Sequence, residues 1–348
     1  MSKVKALSLF SGGLDSILAT RVVMDQGIEV TAVKFVSPFF DYEILSHIEG
    51  YCQEVKDKYG INVVVVDISK GYLEMLRNPA YGYGKNFNPC VDCKIFMVNR
   101  AKKMLAEYGA SFLITGEVIG QRPMSQRRDT LNVISRDSES RSVLLRPLCA
   151  KLMSPTQPEE DGLVDREKLL NFSGRGRSRQ IALAAEYGIT DFPSPAGGCV
   201  LADPILSRRI ENFYGDNFVV KYEDMTVTDV LLLLVGRQFL LPNGGWLMLG
   251  RDERDNDKLE SICEEGDALL GMEERPGPIA LLRRASTCYA DDAAQQGDLN
   301  YAAGLVVRYG KKVKDGPQTG EVICTLSGEK KTIIAEPLAD EISREWML

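Results

Sequence analysis

Short apolar runs at 4–10, 29–36 (EVTAVKFV), 61–68 (INVVVVDI) and 112–118 (FLITGEV) are rich in β-branched residues and nearly continuous in hydrophobicity, which reads as strands. Between them, patterns with helical period occupy about 14–26, 42–59 and 92–108. Strands alternating with helices predict parallel βαβ units, and strands without polar alternation predict a sheet covered on both faces. The first half is therefore expected to be α/β, a doubly wound parallel sheet with its ligands at the carboxyl ends of the strands. A further β-type run, SVLLRPL (142–148), the Pro/Glu-rich MSPTQPEEDG and a helix over 178–187 follow. After PSPAGGCVLADPILSRRI the texture changes. Two apolar segments flank Asn243-Gly244-Gly245, the chemistry of a hairpin turn. A boundary near 212 gives domains of 1–211 and 212–348, the second a smaller α+β domain.

At 348 residues, 44% hydrophobic and 26% charged, the chain suits two globular domains with ample core. No run approaches the roughly 18 apolar residues of a membrane span, and MSKVKALSLF leads into a strand rather than a signal-peptide core. The expected location is cytoplasmic, with no membrane partner. Eight cysteines in such a chain favour metal or sulfur chemistry over disulfides. The net charge of −7 provides no global basic field for nucleic acid. Local basic clusters stand at Arg122, Arg127 and Arg128, at Arg175, Arg177 and Arg179, at Arg208 and Arg209, at Arg283 and Arg284, and at Lys311, Lys312 and Lys314. Taken singly each reads as a solvated face; their number points toward phosphate contacts.

SGGLDS (11–16) lies where the first strand passes into the first helix. Gly12 and Gly13 let the backbone approach a bulky group, Ser11 and Ser16 offer hydroxyls, and the helix N-terminus offers unpaired N–H groups to an anion. Asp15 is suited to hold Mg²⁺. The plain structural alternative is a capped strand–turn–helix. No Walker string occurs. All six positions match S-G-G-x-D-S, so the segment resembles the pyrophosphate loop (PP-loop) of ATP pyrophosphatases. That resemblance implies ATP held by its β and γ phosphates while its α-phosphate is attacked.

NPCVDCK sets Cys90 and Cys93 at C-x-x-C spacing ahead of an amphipathic helix. Such a pair binds a metal or cluster, or cycles through a disulfide, and a helix start is expected to lower a thiol pKa. Cys199 lies in a Gly/Pro loop, PSPAGGCVLADP, where a cysteine is exposed and chemical rather than inert packing. Together the three suit a [4Fe–4S] cluster with one iron open to an exogenous ligand such as hydrosulfide. Cys52, Cys149, Cys263, Cys288, Cys324 and the single histidine, His47, are expected to be buried packing.

GASFLITGEVIGQRPMSQRRDTLNVISRDSESRSVLLRPLCAKL resembles the tRNA 4-thiouridine synthetases, whose pattern TGE-x-x-GQ-x-x-SQ-x-x-x-x-N precedes an RPL strand. Here it falls on Thr115, Gly116, Glu117, Gly120, Gln121, Ser125, Gln126 and Asn132, with Arg146-Pro147-Leu148 after it. NPCVDCK is similar to the tRNA 2-thiouridylase segment that carries the first functional cysteine, in the place of Cys93. PAGGC is similar to the part of both families that presents the sulfur-handling cysteine, in the place of Cys199. The resemblance covers about residues 5–210. It implies an adenine nucleotide alpha hydrolase-like fold and an ATP site of Ser11, Gly12, Gly13, Asp15, Ser16, Gly116, Glu117 and Gln121. The amino-terminal ferredoxin-like and THUMP portion and the rhodanese-like domain of such synthetases have no counterpart in the sequence. VGRQFLLPNGGWLMLGRDERDND instead looks like an NFACT-type RNA-binding module, through Gly236, Arg237, Gly250, Arg251, Asp252 and Asn256.

The parts imply an ATP-dependent tRNA sulfurtransferase. A uracil oxygen is a poor leaving group, so the uridine is adenylated with loss of pyrophosphate, and sulfur then expels AMP. Catalysis is expected from Cys199, Cys93, Cys90 and Asp15. The cluster is preferred to a persulfide on Cys199 resolved by Cys93 or Cys90, and 4-thiouridine is the expected product. Arg122, Arg127, Arg128, Arg175, Arg177, Arg237 and Arg251 are the expected RNA contacts. The partners are tRNA and a sulfur donor, either sulfide or a cysteine desulfurase; the assembly is left open, a homodimer included. An enzyme adenylating a small metabolite, and a non-catalytic RNA-binding sensor of ATP or redox state, are the alternatives.

Overall fold

The computed structural model describes residues 3–194, 199–215, 217–313 and 318–348; the PAGG of PAGGC and Lys314 lie outside them. The chain divides into two compact units, Met1–Ala202 and Asp203–Leu348. This division falls ahead of the boundary read near 212. The reason is the buried Arg209, which donates to the carbonyls of Leu233 and Gly236 at 2.8 Å each and so ties its helix to the second unit.

In the first unit the order is β1 (Lys5–Leu9), α1 (Leu14–Met24), β2 (Glu29–Val36), α2 (Ile48–Tyr59), β3 (Asn62–Asp67), α3 (Ser69–Arg77), α4 (Cys90–Met104), β4 (Phe112–Thr115), α5 (Arg128–Asp137), β5 (Leu144–Leu145), α6 (Gln157–Glu160) and α7 (Ser178–Glu186). The five strands form a parallel sheet in the order β3-β2-β1-β4-β5, the doubly wound arrangement that the alternating pattern predicts. Strand order reverses between β1 and β4, and a crevice opens at such a switch point. Leu9 pairs with Thr115 at the carboxyl end of these two strands, so SGGLDS and the TGE turn leave the sheet side by side. Helix α1 is buried along most of its length, because it is packed between the sheet and α7. Apolar residues nearly all round a helix mean such a position.

The helical pattern over 42–59 splits into a 3₁₀ turn, Tyr42–Ser46, and α2, with the break at His47 (φ −150°, ψ 43°). His47 is consequently exposed rather than buried. Cys149 and Cys324 are buried as expected, whereas Cys52, Cys263 and Cys288 are only half-buried. Cys52 packs from α2 against the edge of the core and donates to the Val63 carbonyl of β3, and Cys263 and Cys288 lie outside regular elements.

The second unit follows as α8 (Pro204–Tyr214), α9 (Val227–Leu233), β6 (Arg237–Leu240), β7 (Trp246–Leu249), α10 (Glu253–Ile262), β8 (Ala268–Met272), β9 (Ala280–Leu282), α11 (Asp292–Tyr309), β10 (Gly320–Leu326), β11 (Glu329–Ala335) and α12 (Asp340–Trp346). Its sheet, ordered β11-β10-β8-β9-β7-β6, is antiparallel at every pairing, and α11 packs its apolar face on it. The predicted hairpin joins β6 to β7. Asp298 on α11 pins its turn, accepting from the main chain and side chain of Asn243 (3.1 and 2.9 Å) and from Gly245 N (2.9 Å). Arg283 is buried between Asp229 (2.6 Å) and Asp267 (2.9 Å), with Glu264 at 2.8 Å. No helix among the described residues is long and apolar enough to cross a membrane.

Removing one partner of a buried ion network leaves uncompensated charge. Arg283→Ala is expected to destabilise the second unit by about 3–5 kcal/mol, measured as a lowered denaturant midpoint with the first unit's transition unchanged.

Candidate active site at the switch point

The SGGLDS loop is held from within. Gly12 has φ +81°, a conformation that favours glycine, while Ser16 Oγ donates to the Gly13 carbonyl at 2.8 Å and Ser11 Oγ lies 3.2 Å from Ser16 Oγ. Lys34, buried in the otherwise apolar β2, donates to the Ser11 carbonyl at 2.7 Å and pairs with Asp41. Sequence reasoning overlooked Lys34. Its signal was a lone cation inside EVTAVKFV, which costs free energy to bury unless it is paired.

The TGE turn presses against this loop. A β-carbon on Gly116 would stand 2.6 Å from the Asp15 carbonyl group and from Ser16 N, so only glycine lets the two turns meet. Gln121 donates through Nε2 to Asp15 Oδ2, Gln180 donates to Gln121 Oε1 at 3.0 Å, and Arg177 lies 3.5 Å from Asp15. Burial pushes the Asp15 carboxyl up, with Gln121 and Arg177 opposing the shift. Its Oδ1 is buried and has no hydrogen-bond partner among the described residues. Glu117 is deeper still. Burial pushes its carboxyl up, but the charges of Arg146 (2.8 Å) and Lys94 (3.9 Å) outweigh this and hold it below the ordinary carboxylate value. Its Oε1 is likewise without a hydrogen-bond partner among the described residues. A buried, orphaned carboxylate oxygen is an apt ligand for a hard cation, so Asp15 fits Mg²⁺.

Two cavities, of about 740 and 330 Å³, flank the loop and share Ser11, Asp15, Lys34 and Arg122. The larger is also lined by Gly12, Gly13 and Arg177. The smaller is lined by Ser16, Gly116, Glu117, Cys90, Cys93 and Cys199 together. The SGGLDS loop and three thiols contributed by two distant segments thus open onto one space. Helix α4 begins at Cys90, so C-x-x-C spans its first turn. Asp92 pins the preceding loop by accepting from Ala80 N (2.8 Å) and Tyr81 N (3.1 Å). Asn86 Nδ2 donates to the carbonyl of Ala202 at 2.7 Å, fastening that loop to the segment just after Cys199.

The expectation that a helix start lowers the thiol pKa is corrected here. Burial pushes Cys90, Cys93 and Cys199 up, Cys93 to about 11, because desolvation of a thiolate outweighs the partial charge of a helix end. Tyr72 on α3, which sequence reasoning also missed, shares a hydrogen bond with Cys93. Three convergent free thiols are the right donor chemistry for a [4Fe–4S] cluster. Among the described residues no three His, Cys, Asp or Glu side chains are gathered to hold a single metal ion, whereas a four-iron cluster takes each cysteine on a different iron and so spaces its ligands more widely.

The remaining expected residues scatter. Arg122 and Arg177 line the site; Arg127 pairs with Asp129 at 2.7 Å on the surface, and Arg175 is exposed. Arg128 and Asn132 line a separate cavity. In the second unit Arg237 lies over the Tyr309 ring (4.8 Å) and donates to the Gly250 carbonyl at 3.3 Å, and Arg251 pairs with Asp255 at 2.6 Å.

At the switch point of the parallel sheet S-G-G-x-D-S lies against a T-G-E turn, an arrangement similar to the PP-loop of ATP pyrophosphatases. Residues 1–152 match the family model described as thiamine biosynthesis protein (ThiI), and residues 236–347 match that of the NFACT protein RNA binding domain; Cys199 lies outside both stretches. A probable tRNA sulfurtransferase of Thermococcus kodakarensis is 27% identical over 136 residues, 39% of this chain and 35% of that protein. The tRNA-specific 2-thiouridylase MnmA of Acetivibrio thermocellus is 31% identical over 129 residues, 32% of this chain and 36% of that protein. The match therefore spans about a third of the length of these curated relatives. A 4-thiouridine synthetase–RNA complex with bound ATP superposes with a TM-score of 0.34 at 19% identity, over 53% of this chain and 52% of that one, a likeness too loose to bear on function.

Gly116→Ala is expected to lower the melting temperature by about 2–8 °C by forcing the two turns apart, with far-UV circular dichroism unchanged; a thermal melt checks this. In metal-free protein, alkylation of Cys93 by iodoacetamide is expected to keep rising until pH reaches about 11, followed by peptide mass spectrometry. The folded thiol holds its proton more tightly than the unfolded one. Its contribution to stability is therefore full below about pH 8.5 and lost as pH rises toward the folded value.

Proposed function

We propose that this chain is an ATP-dependent tRNA sulfurtransferase that adenylates a uridine carbonyl oxygen and replaces it with sulfur. One observation carries the reading: Ser11, Asp15, Gly116 and Glu117 line the same cavity as Cys90, Cys93 and Cys199. ATP would lie with its β and γ phosphates against the SGGLDS loop and the N-terminus of α1. Lys34 holds that loop's carbonyl inward, and Asp15, steered by Gln121 and Gln180, offers its free oxygen to Mg²⁺. Arg122 and Arg177 would meet the charge that develops on the departing pyrophosphate. The uridine oxygen attacks the α-phosphorus, forming an O–P bond as the P–O bond to pyrophosphate breaks. Sulfur then attacks the activated carbon, and the oxygen leaves with AMP.

Cys90, Cys93 and Cys199 would hold the [4Fe–4S] cluster, whose chemistry when bound is to present sulfide to the activated carbon. The neutral thiols that burial imposes must lose their protons to any such ligation, so assembly is proton-releasing. A second reading draws support from the three free thiols that line one cavity. In it Cys199 carries a persulfide, Cys93 or Cys90 attacks Cys199 Sγ to release the sulfur, and an external thiol reduces the resulting disulfide. We take 4-thiouridine as the product and the second unit as an RNA-binding module. The tRNA-sulfurtransferase relative, the ThiI match and the NFACT match support these assignments.

The test is tRNA-dependent pyrophosphate release together with mass spectrometry of tRNA nucleosides from a deletion strain. Asp15→Ala is expected to cut the release rate about 100-fold or more, and the deletion to abolish 4-thiouridine. Loss of a 2-thiouridine instead moves the reaction to the other oxygen, and unchanged nucleosides overturn the reading. Stoichiometric iron and acid-labile sulfide in anaerobically purified protein would select the cluster; iron-free protein that remains active would select the persulfide.

A further inference from the structure

A third cavity, of about 450 Å³, lies in the first unit beside β5 and is lined by Arg128, Asn132, Ser135, Arg141, Arg146 and Thr156 among others. Three guanidinium groups face it against a single acid, Glu159. That acid is already engaged, because it receives Arg166 as well as the main-chain N–H and hydroxyl of Thr156. Arg146 is engaged too, donating to Glu117 Oε2 at 2.8 Å and to Ser135 Oγ at 3.0 Å. The other two cations have no such compensation. Among the described residues the Arg128 side chain donates only to the main-chain carbonyl of Leu152, at 2.8 Å. Arg141 makes no hydrogen bond or ion pair among the described residues; its charge reaches Asp137, which Arg136 and Tyr81 already hold.

Two exposed guanidinium groups line one cavity with no acidic ion-pair partner among the described residues, and a doubly accepting oxyanion can bridge such a pair of charges. The planar donor fork of arginine matches phosphate oxygens bidentately. We propose that this cavity binds a phosphate group, seated by Arg128 and Arg141 with Asn132 as a neutral donor. The site is separate from the SGGLDS loop and does not depend on the thiolation reading. Arg146 stands between the two regions, lining this cavity while holding Glu117 of the switch-point site. The phosphate belongs either to a free ion or to an RNA backbone.

Phenylglyoxal modification of the full chain, resolved by peptide mass spectrometry, distinguishes these sources without altering the fold. At ten times its dissociation constant, the bound species is expected to slow modification of Arg128 and Arg141 about tenfold, leaving Arg100, exposed on α4, unaffected. Protection by inorganic phosphate or pyrophosphate assigns a free ion, and protection by tRNA alone assigns the backbone. The double variant R128A/R141A should then bind the protecting probe about tenfold more weakly or worse, with an unchanged melting temperature. The proposal is overturned if none of the three probes protects Arg128 and Arg141 beyond Arg100, or if the double variant binds the protecting probe as the wild type does.

Discussion

Two turns meet at the switch point of the parallel sheet with no room for a side chain between them. The approach of Gly116 to the main chain of Asp15 and Ser16 sets where the loop sits relative to β4, and most of the site follows from it. Gln121 and Arg177 can reach Asp15 only because those backbones touch. Glu117, one residue beyond the glycine, is thereby buried where Arg146 must neutralise it. A contact between main chains is less forgiving than one between side chains, since no rotamer change relieves it.

The second organising feature is charge kept in dry surroundings. Asp15 and Glu117 each keep one buried oxygen without a hydrogen-bond partner among the described residues, an arrangement that proteins generally avoid because an unpaired polar group inside costs free energy. Their environments differ. Glu117 is stabilised as an anion by two cations, whereas burial dominates at Asp15. The thiols beside them are driven toward their neutral forms for the same reason. A site with these properties gains by admitting a cation and loses by admitting bulk anions unescorted.

Much of this was legible in the sequence, because local rules govern it. The apolar runs give the strands, their alternation with helices gives a parallel sheet, and strand ends give the position of SGGLDS and TGE. What sequence left hidden depends on contacts across long separations. Lys34 and Gln180 act on residues far along the chain, and Tyr72 meets Cys93 only after α3 folds against α4. Helix α5 was missed although Leu131 and Ile134 share one face of RDTLNVISRD; the run is short and carries few apolar residues, so the pattern is easily passed over. The thiol shifts were misjudged in sign because a helix start is visible in sequence, whereas depth is not. The unit boundary moved because Arg209, which reads as part of a surface cluster, is buried against main-chain carbonyls.

The hydrogen bond from Asn86 to the carbonyl of Ala202 stitches together the two strips of chain that bear the sulfur atoms. One strip leads into α4 at Cys90; the other runs on from Cys199. With this clasp in place, a shift of either strip drags the other, and the link between them is a neutral amide. The tether keeps its form at any pH, whereas the sulfurs on the strips it joins change theirs as they lose protons.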